Sequence, residues 1–190
     1  DLLNLYGDRG NILCMRRRLE WRGIDAEVTE VTVGQQADFT QFDLFFIGGG
    51  QDFEQEVLLS DLKAGKGSEI KAAIADGKTF LTICGGYQMM GTMISDPEGI
   101  EGSISGMPGL GLLPMHTVMN REKTTKQVRF GLNGSDSCDM EGYEIHNGRT
   151  EADSGSSIRP LCTRQDGTHD GCIAGERCMG TYIHGILDNS

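Results

Sequence analysis

Two short apolar runs that end on glycine clusters constrain this chain more than any other feature. "FDLFFIGGG" (42–50) and "KTFLTICGG" (78–86) have the length and composition of strands buried on both faces of a sheet. Between them, "SEIKAAIADG" has helical spacing, with Ser68 placed as an N-cap and Gly77 just past the end. Strand, helix, strand in alternation predicts a parallel sheet with helices on its faces, an α/β fold. Upstream, "NILCMRRRLEWRGI" predicts a helix with Ile12, Leu13, Met15, Leu19 and Trp21 on one apolar face and Gly23 as its stop. "DAEVTEVTV" (25–33) alternates apolar and polar residues and predicts another strand.

The pattern changes near residue 95. "SDPEGIEGSISGMPGLGLLP" is glycine-rich and loop-like, and "TTKQVRFGL" and "MEGYEIHNGRT" read as antiparallel strands. "SSIRPLCTRQDGTHDGC" reads as a hairpin or loop, and Tyr182 and Ile183 form a last strand leading into His184. Met89, Met90 and Met93 fall at helical spacing and are assigned to the core. With no internal repeat and no linker, residues 1–190 are expected to form one domain.

The net charge of −11 argues against nucleic-acid binding, and the arginines at 16–18 read as a solvated helix face. No apolar run approaches the length of a bilayer span. The opening "DLLNLYGDRGN" has no signal-peptide pattern and no initiator methionine, and it reads as the end of a strand. The expectation is a reduced, cytoplasmic chain trimmed at one or both ends of something longer. Six cysteines are then free thiols rather than three disulfides. His169, Cys172 and Cys178 lack the spacing of a structural zinc site and are expected to be ordinary loop residues, with no metal bound.

In parallel sheets, ligands and chemistry gather beyond the carboxyl ends of the strands. Three segments end there: "FFIGGG", "FLTICGG" and "TYIHG". A thiol on a strand-to-helix elbow needs small neighbours, which Gly85 and Gly86 supply. The helix N-terminus favours its thiolate. His184 can carry the proton. The N–H groups of Gly49, Gly50 and Gly85 can hold an oxyanion. Each piece also has an ordinary packing role, and the coincidence at three strand ends is what favours chemistry.

"TICGGYQMMG", with "GGGQDF" before it and "GTYIHG" after it, resembles the class I glutamine amidotransferases, in the branch named for CobB and CobQ. The resemblance covers essentially the whole chain. It implies a flavodoxin-like, mostly parallel sheet with flanking helices and a C-terminal antiparallel extension. It also implies that Cys84 attacks the side-chain amide of L-glutamine to form a glutamyl thioester. His184 would protonate the departing ammonia and then activate water. The ammonia would pass to an ATP-dependent synthetase partner, and ATP and magnesium are expected there, with no cofactor in this domain.

"LNLYGDRGNI", "RLEWRGIDAEV" and "FFIGGGQDFEQ" are most similar to the glutaminase subunit of lipid II isoglutaminyl synthase, which works with a Mur-ligase-like partner. "GLGLLP", "EKTTKQV", "GYEIHNGRTE" and "GTYIHGILDN" are more similar to cobyric acid synthase, which amidates corrin carboxylates. The longer second-half motifs favour a cobyrinate-type acceptor. Gln88, Lys123, His146 and Arg149 are the candidate glutamine-binding residues, and Tyr143 shares their motifs. Lys123 reads equally well as a surface lysine. Many class I enzymes carry a carboxylate two residues after the histidine, where this chain has Ile186. A Cys84–His184 dyad is therefore expected, with Asp188 and Glu144 as candidate orienters of the imidazole. Thr82, where a glycine is usual, is expected to point away from the helix. The rival readings are a DJ-1/PfpI-like cysteine hydrolase and a degenerate glutaminase kept as a binding subunit.

Overall fold

The computed structural model describes residues 8–50, 52–100, 105–135, 137–156 and 158–189. The strand expected in the opening residues therefore lies outside the described residues. Strand β1 (Leu44–Ile47) pairs in parallel with β2 (Thr79–Ile83), Leu44 opposite Thr79. The crossover between them is helical. Helix α2 (Asp52–Asp61) passes through a π turn at Leu62–Lys66 into α3 (Gly67–Ala75). Strand β10 (Cys178–Thr181) lies on the other side of β2, also parallel, and β9 (Cys172–Ala174) closes that edge antiparallel.

The two apolar runs fill the core as their composition requires. Phe45 and Phe80 lie 6.0 Å apart ring to ring, and Phe39 stacks on Phe45 at 5.7 Å. Leu59, Leu62, Ile70 and Ala73 are buried along the crossover. Burying such side chains is worth roughly 1.5–3 kcal/mol each, so the runs hold this layer together.

After β2 comes the short helix α4 (Gly85–Met90), and then a second sheet. Its strands are β3 (Met93–Ser95), β4 (Gly106–Pro108), β5 (Met115–Leu132), β6 (Met140–Ala152), β7 (Cys162–Arg164) and β8 (His169–Asp170). The two strands expected in "TTKQVRFGL" and "MEGYEIHNGRT" form the long β5–β6 pair, whose register shifts between Met119 and Thr124. The expected hairpin is β7–β8, turning at Gly167 with φ +83°. The glycine-rich stretch after residue 95 yields β4, antiparallel to β3. The two sheets meet where the chain leaves β10, because His184 bridges antiparallel to Tyr143 of β6.

Several local expectations are corrected. "DAEVTEVTV" forms no strand; no described strand pairs with it, and Val28 and Val33 stay exposed. An alternating pattern specifies a strand only when a ladder is available beside it. Helix α1 spans Asp8–Trp21 and stops at Gly23 with φ +69°, but Leu13 and Trp21 of the predicted apolar face are 62% and 72% exposed. Its inward side instead carries buried Asn11 and reaches the chain's C-terminal turn. There Cys14 donates to the Leu187 carbonyl, and Arg18 donates to those of Leu187 and Asn189. The arginine run is therefore not wholly solvated.

Ser68 is not a cap, because α3 begins at Gly67 behind a kink at Gly65 and Lys66 holds the cap position; the Ser68 hydroxyl donates to the Gly65 carbonyl at 2.6 Å. Gly77, with φ +84°, does terminate α3. Met89 and Met90 are fully buried, whereas Met93 is half-exposed on β3. Cys172 and Cys178 are buried strand residues rather than loop residues.

Candidate active site

Strand β2 ends at Ile83, and the next residue turns sharply. Cys84 has φ +54° and ψ −113°, and it is the sole non-glycine residue with positive φ among the described residues. That region is costly for a side-chain-bearing residue and persists only where its surroundings enforce it. The enforcement is visible on both sides. A Cβ on Gly86 would sit 2.5 Å from the Ile47 carbonyl oxygen and 2.8 Å from that of Gly48. A Cβ on Gly85 would sit 2.8 Å from Gln55 Nε2 and 3.3 Å from the Gly50 nitrogen. The Gly86 N–H donates to the Gly48 carbonyl at 3.1 Å. The glycine turn after β1 is thus pressed against the elbow, with the Gly50 amide beside the first residue of α4. Gly49 is buried in the same turn.

Thr82 does not point away from the helix. It is paired with Gly180 on β10, so the two share a face of the sheet, and a Cβ on Gly180 would collide with both Thr82 Oγ1 and the ring of Tyr87 on α4. The bare glycine of the partner strand makes the room, and the Thr82 hydroxyl donates to the Met179 carbonyl at 3.2 Å.

His184 is fully buried. Its N–H donates to the Tyr143 carbonyl at 2.9 Å, its carbonyl accepts from the Tyr143 N–H at 3.2 Å, and the two rings stack at 5.0 Å. Cys84 is tied to the same neighbourhood: its N–H donates to Thr181 of β10 at 2.9 Å, and its Sγ lies 3.7 Å from the Ile145 carbonyl oxygen. Thiol and imidazole therefore both lie against one short stretch of β6, residues 143–145. Ile186, where a carboxylate is common, is buried as core.

The candidate orienters occupy different places. Asp188 is exposed on the 3-10 turn Ile186–Asp188, its N–H donating to the Gly185 carbonyl. Glu144 is 2% exposed and accepts from Arg164 Nε at 2.6 Å; Lys126 Nζ is 3.6 Å away and His146 Nε2 3.7 Å. Burial pushes this carboxyl up, but His146, Arg164 and Lys126 together hold it below the usual glutamate range. Asp170 also meets Arg164, at 3.0 Å, yet its deeper burial wins and raises it above the usual aspartate range.

The four glutamine-binding candidates divide into two pairs. Gln88 is buried, and its Nε2 donates to the Tyr182 hydroxyl at 3.3 Å. That hydroxyl also bonds Thr150 at 2.7 Å, and Thr150 bonds Thr117 at 2.8 Å. His146 stacks on Tyr182 at 3.7 Å, with Nδ1 2.7 Å from the Gly148 carbonyl oxygen. Gln88 and His146 thus meet in an internal network. Lys123 and Arg149 are exposed on the β5–β6 pair, Lys123 in the irregular stretch before Thr124.

Sequence reasoning missed Tyr182, Arg164, Asp170 and Thr181. Two charged residues near a turn, in "CTRQDGTHDGC", carry no local sign that they are buried.

Burial pushes the thiols of Cys162 and Cys178 up to about 12 and that of Cys172 up to about 11, so these three are unreactive packing residues. Among the described residues no group of three His, Cys, Asp or Glu side chains is placed to hold a metal ion. His169 instead lies 3.2 Å from the Thr163 hydroxyl. No described helix is long and apolar enough to cross a membrane.

Comparison with known proteins bears on this arrangement. Residues 1–190 match the CobB/CobQ-like glutamine amidotransferase domain. The chain is 44% identical to the cobyric acid synthase of Phocaeicola vulgatus, over 80% of this chain and 30% of that protein. It is 48% identical to that of Parabacteroides distasonis, over 69% and 27%. It thus spans under a third of these relatives. To the GatD subunit of the glutamine-hydrolysing lipid II isoglutaminyl synthase of Staphylococcus aureus it is 35% identical, over 98% of this chain and 74% of that one. Among solved structures, a glutamine amidotransferase superposes with TM-score 0.59 at 14% identity, covering 92% of this chain and 85% of the other. PurLQS from Thermotoga maritima gives 0.61 at 17%, covering 90% and 80%. These two likenesses support the fold.

Proposed function

Because this chain belongs to the CobB/CobQ-like glutamine amidotransferase family, we propose that it is the glutaminase domain of an amide-forming enzyme, with Cys84 and His184 as its catalytic pair. The observation that carries this reading is the strained Cys84 elbow, held with His184 against residues 143–145 of β6.

The Cys84 thiol passes its proton to His184, and the thiolate adds to the side-chain carbonyl carbon of glutamine. The oxyanion forms beside the amides of the Gly49–Gly50 turn and of Gly85. As the C–N bond breaks, the imidazolium gives its proton to the leaving nitrogen, so ammonia departs and a γ-glutamyl thioester remains. His184 then takes a proton from water, hydroxide adds to the thioester carbonyl, and as the C–S bond breaks the imidazolium returns that proton to the departing sulfur, which releases glutamate and restores the thiol. His184 works in this scheme as the partner of a dyad, its ring backed by Tyr143. Lys123 and Arg149, exposed on the β5–β6 pair, are assigned to the glutamine α-carboxylate.

Ammonia passes to an ATP- and magnesium-dependent synthetase domain or subunit in the cytoplasm. A corrin carboxylate is the favoured acceptor, supported by 44–48% identity to cobyric acid synthases. The glutamate of lipid II, reached with a Mur-ligase-like partner, is the second reading, supported by likeness to GatD along 98% of this chain.

The test is glutamate release from glutamine, measured with each class of synthetase, and labelling of Cys84 by a glutamine-analogue electrophile. Release that rises only with a corrin amide synthetase selects the first acceptor, and release that rises only with a Mur-ligase-like protein selects the second. No release with either and no label on Cys84 removes the glutaminase reading and leaves the binding-subunit rival.

A further inference from the structure

A buried ionic cluster lies behind the catalytic pair, and the scheme above does not use it. Arg164 of β7 is largely enclosed, and its three nitrogens are all committed. Nε donates to Glu144 at 2.6 Å and Nη2 to Asp170 at 3.0 Å; Nη1 donates to the His169 carbonyl at 2.6 Å and to the Thr168 hydroxyl at 3.2 Å.

Each carboxylate leads to one support of the site. Glu144 sits on β6 between Tyr143, whose ring lies on His184, and Ile145, whose carbonyl faces the Cys84 sulfur. Successive side chains on a strand point to opposite faces, so a pull on Glu144 sets the height and tilt of both neighbours. Asp170 accepts from the Thr181 hydroxyl and from the Tyr182 N–H at 3.2 Å. The same Thr181 accepts the Cys84 N–H on its carbonyl and the Ile183 N–H on its hydroxyl, one residue before His184. The two routes to the thiol–imidazole pair, one through β6 and one through β10, converge on a single guanidinium.

We propose that Arg164 is a positioning residue for glutamine hydrolysis: by clamping Glu144 to Asp170 it keeps Cys84 and His184 in register. The proposal rests on the glutaminase reading. A compact ammonium on a flexible stem does not reproduce the fixed spread of donors that the planar fork holds between the two carboxylates, so lysine is not an equivalent. A buried ion cluster is also a poor source of net stability, because desolvation offsets its attraction. Geometric control is therefore the better account of its presence.

The experiment compares wild type, Arg164→Lys and Arg164→Met in the full-length protein with its synthetase. The readouts are kcat and KM for glutamine, the rate of Cys84 labelling by a glutamine-analogue electrophile, and the melting temperature. Misplacement of reacting groups by an ångström costs on the order of 100-fold, so kcat and labelling should fall together by about that factor. KM should change by less than about threefold, because the glutamine contacts are untouched. Wild-type kcat in folded variants that melt at a lower temperature would show a purely structural arginine and overturn the proposal. Where neither arginine variant folds, Glu144→Gln decides: a kcat-selective loss supports the clamp, and unchanged kcat overturns it. A wild-type protein that Cys84 labelling leaves untouched defeats the glutaminase reading itself, a result distinct from labelled wild type with equally labelled variants.

Discussion

The thiol and the imidazole are held by different kinds of structure. Cys84 is fixed locally: an apolar strand precedes it, two glycines follow it, and the Gly48–Gly50 turn of the adjacent strand closes on them. His184 is fixed at long range, by the backbone and ring of Tyr143, by Asn189 and by the helix α1 side chains Cys14 and Arg18 that bind the turn behind it. The local device stores strain and tolerates no added atoms. The distributed device has many outer members around the Arg164 clamp, and each outer member is worth little, so losing any one of them should weaken it gradually.

The largest effect that can test this contrast is at the thiol. Cys84→Ala should abolish glutamine-dependent amidation while ammonia-dependent amidation by the synthetase continues, as measured with glutamine or ammonium as nitrogen source. Loss of both would make Cys84 structural. Cys84→Gly should be equally inactive yet melt higher than Cys84→Ala, because glycine adopts φ +54° freely. The released strain is of order 1–3 kcal/mol. Equal melting temperatures would mean the elbow stores no strain.

Gly86→Ala comes next. Its methyl would stand 2.5 Å from one backbone carbonyl oxygen and 2.8 Å from another, and neither is the end of a flexible side chain. Overpacking of this kind typically costs about 1–3 kcal/mol. Denaturant unfolding should show that loss, and labelling of Cys84 should slow as the elbow opens.

The same contrast explains what could be read from the sequence. The elbow was legible because its determinants are contiguous: the apolar run, Cys84, Gly85 and Gly86 lie within "FLTICGG". The parallel pair β1–β2 was legible for the same reason, and so was the antiparallel β5–β6 pair. The histidine side was legible only as a residue after a strand. Its partner Tyr143 lies within the "GYEIHNGRTE" motif, but the backbone pairing between them joins two sheets and leaves no periodic trace. Arg164 and Asp170 lie in a segment legible only as a hairpin or loop, because burial of a charge is decided by distant strands. Leu13 and Trp21 erred in the other direction. Helical spacing was right, but the inward face was set by a C-terminal turn far away in sequence that offers carbonyl oxygens rather than apolar surface.

On the distributed side, Asn189→Ala should have a smaller effect. Its side chain donates to the Glu141 carbonyl at 2.9 Å and to the Gly185 carbonyl at 3.1 Å, and accepts from the Glu141 N–H at 2.7 Å. Net contributions near 1 kcal/mol per bond apply to partly exposed groups of this type. A modest drop in stability and a several-fold loss of kcat are expected, because Arg18 and Tyr143 still hold the turn. Loss as complete as that of Cys84→Ala would show that His184 depends on one support after all.

The smallest expected effect concerns acid, and it separates the two carboxylates on Arg164. Glu144 titrates below its ordinary value of 4.5 in the folded protein, so it contributes stability above that pH and loses it as pH falls through the lowered value. Asp170 is raised above 3.8, so it favours the folded state at low pH, and that contribution disappears as pH rises through its raised value. The two partly cancel in the wild type. Glu144→Gln removes the first and touches the second only through the smaller push of the Glu144 charge on Asp170, so its stability should decline less than wild type as pH falls below 4.5. Asp170→Asn should do the reverse and steepen the decline. Denaturant melts at a series of pH values read both slopes, and parallel curves for all three proteins would mean that neither carboxyl is shifted from its ordinary value in the folded protein.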